Sequence, residues 1–223
     1  AEYLFVSERS GLVNLKREGV DEKKVFFVGN IMIDSLMHYR EKAKRTNMTT
    51  KLGLQSKKFV LVTLHRPSNV DEQGNLETIF SIFRQLADIT TVVFPVHPRT
   101  RKMIQQYGLE MKTKTVKDVQ LLEPLGYLEF LDLMQQAQLV LTDSGGIQEE
   151  TTYLGIPCLT LRKNTERPVT VDVGTNEICG LDEKMIVKRS KEILNGGEKQ
   201  GRIPELWDGR TAERIANILS EKL

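Results

Sequence analysis

The chain reads as an α/β protein, a doubly wound parallel sheet of Rossmann-like type. Three observations predict this. Short β-branched runs alternate with longer amphipathic runs along almost the whole sequence. The best short run, Phe59-Val60-Leu61-Val62-Thr63-Leu64, is almost continuously apolar, as a strand covered on both faces must be. The chain has 223 residues, 39% of them hydrophobic and 28% charged, enough to bury a sizeable core and too apolar for disorder.

The elements follow in order. The opening Ala1-Glu2-Tyr3-Leu4-Phe5-Val6 is strand-like. It carries neither a start methionine nor a signal peptide, so the chain is expected to be part of a longer protein. Ser7–Glu18 is expected to be a helix, with Ser7 as N-cap and Gly19 just past its end. Val25–Val28 is the next strand, and a helix through Leu36-Met37-His38-Tyr39 gives His38 a surface or packing role. Arg40–Thr50, polar and charged, is a linker candidate or a helix end with a surface loop. After Phe59–Leu64, the helix Asn75–Asp88 carries Leu76, Ile79, Phe80, Phe83 and Leu86 at three- and four-residue spacing. Strands follow at Thr91–Val96 and Val119–Leu122, then a helix at Tyr127–Gln136 and a strand at Gln138–Thr142. A helix at Ile147–Leu154 precedes the strand Pro157–Leu161, where Cys158 behaves as a small hydrophobe. A strand at Thr175–Ile178, a helix at Glu183–Leu194 and a polar loop at Gly196–Gly201 lead to Trp207, a core residue, and a last helix, Thr211–Lys222. There is no internal repeat and no low-complexity segment.

Composition excludes several classes. Lys and Arg number 32 against 30 Asp and Glu, a net charge of +2, and the charges are interleaved, so neither a nucleic-acid nor a membrane-surface partner is indicated. No apolar run approaches the roughly 20 residues a membrane helix needs. Two cysteines, Cys158 and Cys179, make no disulfide framework, which points to the cytoplasm. Three scattered histidines, His38, His65 and His97, have no metal-ligand spacing.

In open α/β sheets ligands bind beyond the carboxyl ends of the strands. Those ends carry chemistry here. His65-Arg66-Pro67-Ser68-Asn69 and His97-Pro98-Arg99 each bring an imidazole and a guanidinium to a strand end, suited to an anion or to plain loop roles. Asp143-Ser144-Gly145-Gly146-Ile147-Gln148-Glu149-Glu150 is the most informative stretch. Its glycines let a ligand approach the backbone, and the helix opening there turns its amides toward the crevice. Ser144 adds a hydroxyl, and Glu150, one turn in, can hold a ribose diol or simply favour the helix dipole. It is neither a Walker loop nor the dinucleotide fingerprint. Arg162-Lys163-Asn164-Thr165-Glu166-Arg167-Pro168 is a charged loop stopped by proline.

Taken together, His65-Arg66-Pro67-x-Asn69, Pro95-Val96-His97-Pro98, Thr142 to Glu150 and Thr165-Glu166-Arg167-Pro168 resemble the UDP-N-acetylglucosamine 2-epimerase family. Trp207-Asp208-Gly209-Arg210-Thr211-Ala212 and Val28-Gly29-Asn30-x-x-Ile33-Asp34 fit too, so the likeness spans the chain. It implies the C-terminal, UDP-binding lobe of a glycosyltransferase-B fold over residues 1–223. Residues 1–45 would lead in from the hinge side, and the helix at 208–223 would pack toward an N-terminal lobe. The resemblance makes His65 the active-site histidine beside the diphosphate. It assigns Ser144, Gly145 and Gly146 to the phosphate, Glu150 to the ribose, Arg167 to the diphosphate and sugar, and Phe130 with backbone near Leu125 to the uracil. Arg66 and His97 resemble residues of a second, activating UDP-sugar site. Many members read His-Arg-Arg-Glu-Asn where this chain reads His-Arg-Pro-Ser-Asn, a departure that bears on that site. The implied reaction interconverts UDP-GlcNAc and UDP-ManNAc without a cofactor, in a homodimer when full length. The C2 acid and base are expected in the N-terminal lobe. A hydrolysing epimerase, a glycosyltransferase of the same fold, and a non-catalytic UDP-sugar-binding module are the alternatives.

Overall fold

A computed structural model describes residues 1–56, 58–109 and 118–222. Six strands form one parallel sheet: β3 (Phe59–Thr63), β4 (Thr91–Pro95), β5 (Val119–Leu122), β6 (Leu139–Thr142), β7 (Cys158–Thr160) and β8 (Asn176–Ile178). Their order is β5-β4-β3-β6-β7-β8. The chain winds outward from β3 to β5, returns, and winds the other way from β6 to β8. The winding reverses between β3 and β6, and a crevice opens at such a point.

The run at 59–64 pairs on both sides, Val60 with Val92 and with Leu139. A central strand needs apolar side chains on both faces, and here the two faces feed two cores. Val60 and Val62 pack with Phe80, Phe83 and Phe94 and with Ile186 and Ile193. Phe59 and Leu61 pack on the other side with Leu36, Leu131 and Met134. Among the described residues the α-helices are α1 (Arg9–Arg17), α2 (Ile31–Lys44), α3 (Met48–Lys51), α4 (Pro67–Val70), α5 (Gln73–Ala87), α6 (Pro98–Gln106), α7 (Tyr127–Gln136), α8 (Gly145–Leu154), α9 (Pro168–Asp172) and, after the last strand, α10 (Glu183–Leu194) and α11 (Thr211–Lys222).

The first thirty residues stand apart. β1 (Leu4–Val6) and β2 (Val25–Phe27) form a separate two-stranded parallel sheet joined through α1. The expected cap is corrected: α1 starts after Glu8, and no side chain caps it. Ser7 instead offers its carbonyl oxygen to Trp207 Nε1 at 2.9 Å. Gly19 does follow the helix in the left-handed region, at φ 74°. Arg9 and Glu205 form a paired hydrogen bond at 2.7 and 2.9 Å, and Arg214 donates to the Val28 carbonyl at 3.1 Å. These contacts fasten the small sheet to the far end of the chain.

The segment 40–50 is no linker. α2 runs on to Lys44, and Met48 and Thr49 are buried as α3 begins. The buried Asp132 accepts the Met48 amide at 2.7 Å and fixes that turn to α7. Trp207 is buried as expected, and His38 is exposed, stacked edge-on against Tyr39. Among the described residues, no helix is long and apolar enough to cross a membrane.

Candidate functional site

The carboxyl ends of β3 and β6 lie side by side, since Thr63 pairs with Thr142. His65 and Asp143 therefore meet. Asp143 is completely buried, and its carboxylate accepts the backbone N–H of His65 at 3.1 Å and of Arg66 at 2.9 Å. It also accepts Asn69 Nδ2 at 3.2 Å, while His65 Nδ1 lies 3.3 Å from its other oxygen. The His65 ring is about one-third exposed. His97, at the end of β4, places its ring 5.4 Å from that of His65. Both prolines after these residues open short helices at the first position, where the missing N–H costs nothing.

Ser144 sits where α8 begins, in extended backbone, and its side chain makes no capping bond. The first amides of α8 are thus left uncapped by it. Nothing in the fold demands glycine at 145 or 146. A Cβ at Gly145 would meet Arg167 Cγ and Glu166 Oε2 only at 4.0 Å, and one at Gly146 would meet Met32 Cε at 3.9 Å. A side chain would fit at either position in ordinary contact with its neighbours, so the glycines are not demanded by packing.

Arg167 is held over this helix start by a chain of contacts. Buried Gln148 accepts the Thr165 hydroxyl at 2.5 Å, and Thr165 Oγ1 accepts the Arg167 amide at 2.9 Å. Glu149 Oε1 then lies 2.8 Å from Arg167 Nε, a charge contact out of line for a hydrogen bond. Burial pushes the Glu149 carboxyl up, opposed by Arg167 and Asn30. Arg162, by contrast, is committed to Glu166 at 2.6 and 2.8 Å, which holds that carboxyl down to about 2. The charged loop is an ion pair plus one arginine turned to the cleft. A cavity of about 240 Å³ adjoins it, lined by Asn30, Met32, Glu149, Arg167 and Thr211 among others.

Glu150 is almost fully buried. Burial raises its carboxyl to about 7, and the hydrogen bond from the Tyr127 hydroxyl, at 3.0 Å, works the other way. That bond draws the start of α7 to α8. Leu125 and Phe130, on either side of Tyr127, are half-buried against the second core. Arg66 shares the His65 end of the rim, near enough to Glu166 to help hold its carboxyl low.

The geometry thus gathers His65, Arg66, His97, Ser144, Gly145, Gly146, Glu150 and Arg167 along one rim of the sheet. Asp143, Gln148, Glu149 and Tyr127 had no assigned role in the sequence reading. The first three lie within the stretch read as informative, and Tyr127 lies beside Phe130. Their partners are 17 or more residues away in sequence, so only the fold reveals them.

Residues 1–220 match the family described as UDP-N-acetylglucosamine 2-epimerase. The chain belongs to the UDP-N-acetylglucosamine 2-epimerase family. A relative from Methanocaldococcus jannaschii bearing that name is 38% identical over 98% of this chain and 60% of its own length. A Pseudomonas aeruginosa relative, 36% identical, is a UDP-2,3-diacetamido-2,3-dideoxy-D-glucuronate 2-epimerase. It is covered over 99% of this chain and 60% of its own length. Among solved structures, the M. jannaschii epimerase in complex with UDP-GlcNAc and UDP superposes with a TM-score of 0.88 at 37% identity. That match covers 99% of this chain and 61% of the other. The Neisseria meningitidis epimerase bound to UDP-GlcNAc gives 0.85 at 30% identity, over 99% and 62%. This chain therefore spans about three-fifths of the length of these family members. Its architecture is the α/β, Rossmann-like one read from the sequence, of glycosyltransferase-B type.

Proposed function

We propose that this chain is the UDP-binding lobe of a UDP-N-acetylglucosamine 2-epimerase that interconverts UDP-GlcNAc and UDP-ManNAc. One observation carries the reading: an imidazole, an uncapped helix start, an arginine and a buried carboxylate converge on the crevice between β3 and β6. In this reading the first amides of α8, Ser144 and Arg167 hold the diphosphate. Glu150 takes the ribose diol, for which Tyr127 yields its place. The segment from Leu125 to Phe130 borders the uracil.

The C2 hydrogen of the sugar is weakly acidic, so departure of the leaving group must be assisted. A base outside this stretch removes the C2 proton. The C1–O bond breaks with its electron pair going to UDP, leaving a C1–C2 double bond. UDP then adds back at C1 while C2 is protonated on the opposite face. His65, Arg167 and the α8 terminus stabilise the departing diphosphate and return it. No step in this chemistry requires a cofactor. Arg66 and His97, beside His65, form the edge of a second UDP-sugar site that activates the enzyme. Residues 1–223 act as one lobe, with 1–45 leading from the hinge and 208–223 turned to the other lobe, in a cytoplasmic homodimer.

The test is NMR of UDP-GlcNAc in D₂O with the protein expressed from its complete coding sequence. UDP-ManNAc carrying deuterium at C2 is expected. Its absence overturns the proposal, with free ManNAc plus UDP pointing to a hydrolysing enzyme and sugar transfer to an acceptor pointing to a transferase.

A further inference from the structure

We propose that Asp143 is a positioning residue for His65: it fixes the imidazole proton on Nδ1 and leaves Nε2 for the ligand. The inference rests on the reading of the cleft as a UDP site. The carboxylate lies wholly buried at the end of β6. Three N–H donors, from the His65 and Arg66 backbones and Asn69 Nδ2, reach it at 2.9 to 3.2 Å. His65 Nδ1 stands 3.3 Å from Oδ1. The contact is out of line for a hydrogen bond as the ring stands, but an ionised carboxylate only accepts, so a hydrogen on Nδ1 is the one that meets it when the ring turns slightly. The lone pair of the neutral ring then sits on Nε2, on the opposite edge. A proton taken up there is the one a diphosphate oxygen would accept, and the buried carboxylate offsets the charge of the imidazolium so formed.

The neighbouring imidazole is set the other way. His97 Nδ1 accepts the Arg99 amide at 3.2 Å, which places the hydrogen of its neutral ring on Nε2. Two rings with centroids 5.4 Å apart therefore hold opposite tautomers. In their neutral forms His97 turns an N–H outward and His65 a lone pair. A competing role for Asp143 is mechanical: the same bonds fasten residues 65–69 to β6, with no bearing on the ring.

The protein expressed from its complete coding sequence, labelled with ¹⁵N at the imidazoles, separates the two. The neutral His65 ring is expected as the Nδ1–H tautomer and His97 as Nε2–H; an Nε2–H tautomer at His65 overturns the proposal. Asp143→Asn presents an amide N–H to the converging donors. It is expected to lower kcat by about 10²-fold, the ordinary worth of a placed acid or base, with KM little changed. In a His65→Ala background the same substitution should add no further loss. An equal loss in both backgrounds shows a mechanical clamp and overturns the proposal. If Asp143→Asn does not fold, the tautomers of the unaltered protein still decide. If the unaltered protein binds no UDP by calorimetry, the reading of the cleft fails, whatever the tautomers show.

Discussion

At the scale of single residues, the two arginines of one loop have separate fates. Arg162 is spent on Glu166, whereas Arg167 is steered over the start of α8 by Thr165, Gln148 and Glu149. Arg167→Ala is expected to weaken UDP binding by about tenfold to a hundredfold, the value of a hydrogen bond to a charged group. Arg162→Ala should cost less, and calorimetry with UDP compares them; equal effects would contradict the assignment. Glu150 gives a pH test. Its folded value lies above the ordinary one, so its ionisation opposes folding. The stability it contributes is whole below pH 4.5 and is lost as pH rises to about 7, up to about 3 kcal/mol. Urea unfolding between pH 5 and 8 should show this decline, and Glu150→Gln should flatten it. His65, Glu150 and Arg167 stand out in the sequence because each lies in a loop or helix start that follows a strand. The clamp on His65 was not, because Asp143 reaches it across 78 residues and through backbone amides, which leave no mark in residue type.

At the scale of elements, the helices at 127–136, 183–194 and 211–222 fall where periodicity puts them. Five of the six strands of the main sheet, by contrast, lose a residue or two at their ends. Among the described residues, three of the helices that escaped the sequence reading, α4, α6 and α9, begin on a proline, and a fourth, α3, begins at Met48. Pro168 reads in the sequence as the stop of a charged loop, yet at the first helical position proline's fixed φ favours helix. Each of the three proline-led turns carries a basic or imidazole side chain just before its proline, Arg66, His97 or Arg167, at the rim of the candidate site. The junction of β2 and α2 is governed by Gly29, at φ 91°. A Cβ there would stand 2.1 Å from the Leu206 carbonyl oxygen. Gly29→Ala is therefore expected to cost more than about 2 kcal/mol, the sum of left-handed strain and displaced backbone. Chemical denaturation of the variant measures it.

At the scale of the whole molecule, alternation of strand and helix was enough to predict a parallel sheet, and the right-handed crossover rule leaves few ways to wind one. It could not show that β6 returns beside β3, since strand order is decided by which helix faces match. Nor did it separate the first thirty residues, whose strands pair only with each other. Trp207 joins that unit to the rest, buried and bonded to Ser7. Trp207→Ala is expected to cost about 3 to 5 kcal/mol, as for other large aromatic truncations in a core. Thermal unfolding would register it, and an unchanged midpoint would mean the tryptophan is dispensable.

The fastening of the small sheet also sets an order of assembly. Ser7 meets Trp207 across 200 residues and Arg9 meets Glu205 across 196. Contacts so distant along the chain form slowly, because a long loop must close before any reward arrives. During synthesis the βαβ unit of residues 4–27 is made before the stretch from Glu205 to Arg214 and cannot dock on it until that stretch has followed. Docking of this unit is therefore expected to be a late step in the folding of this chain.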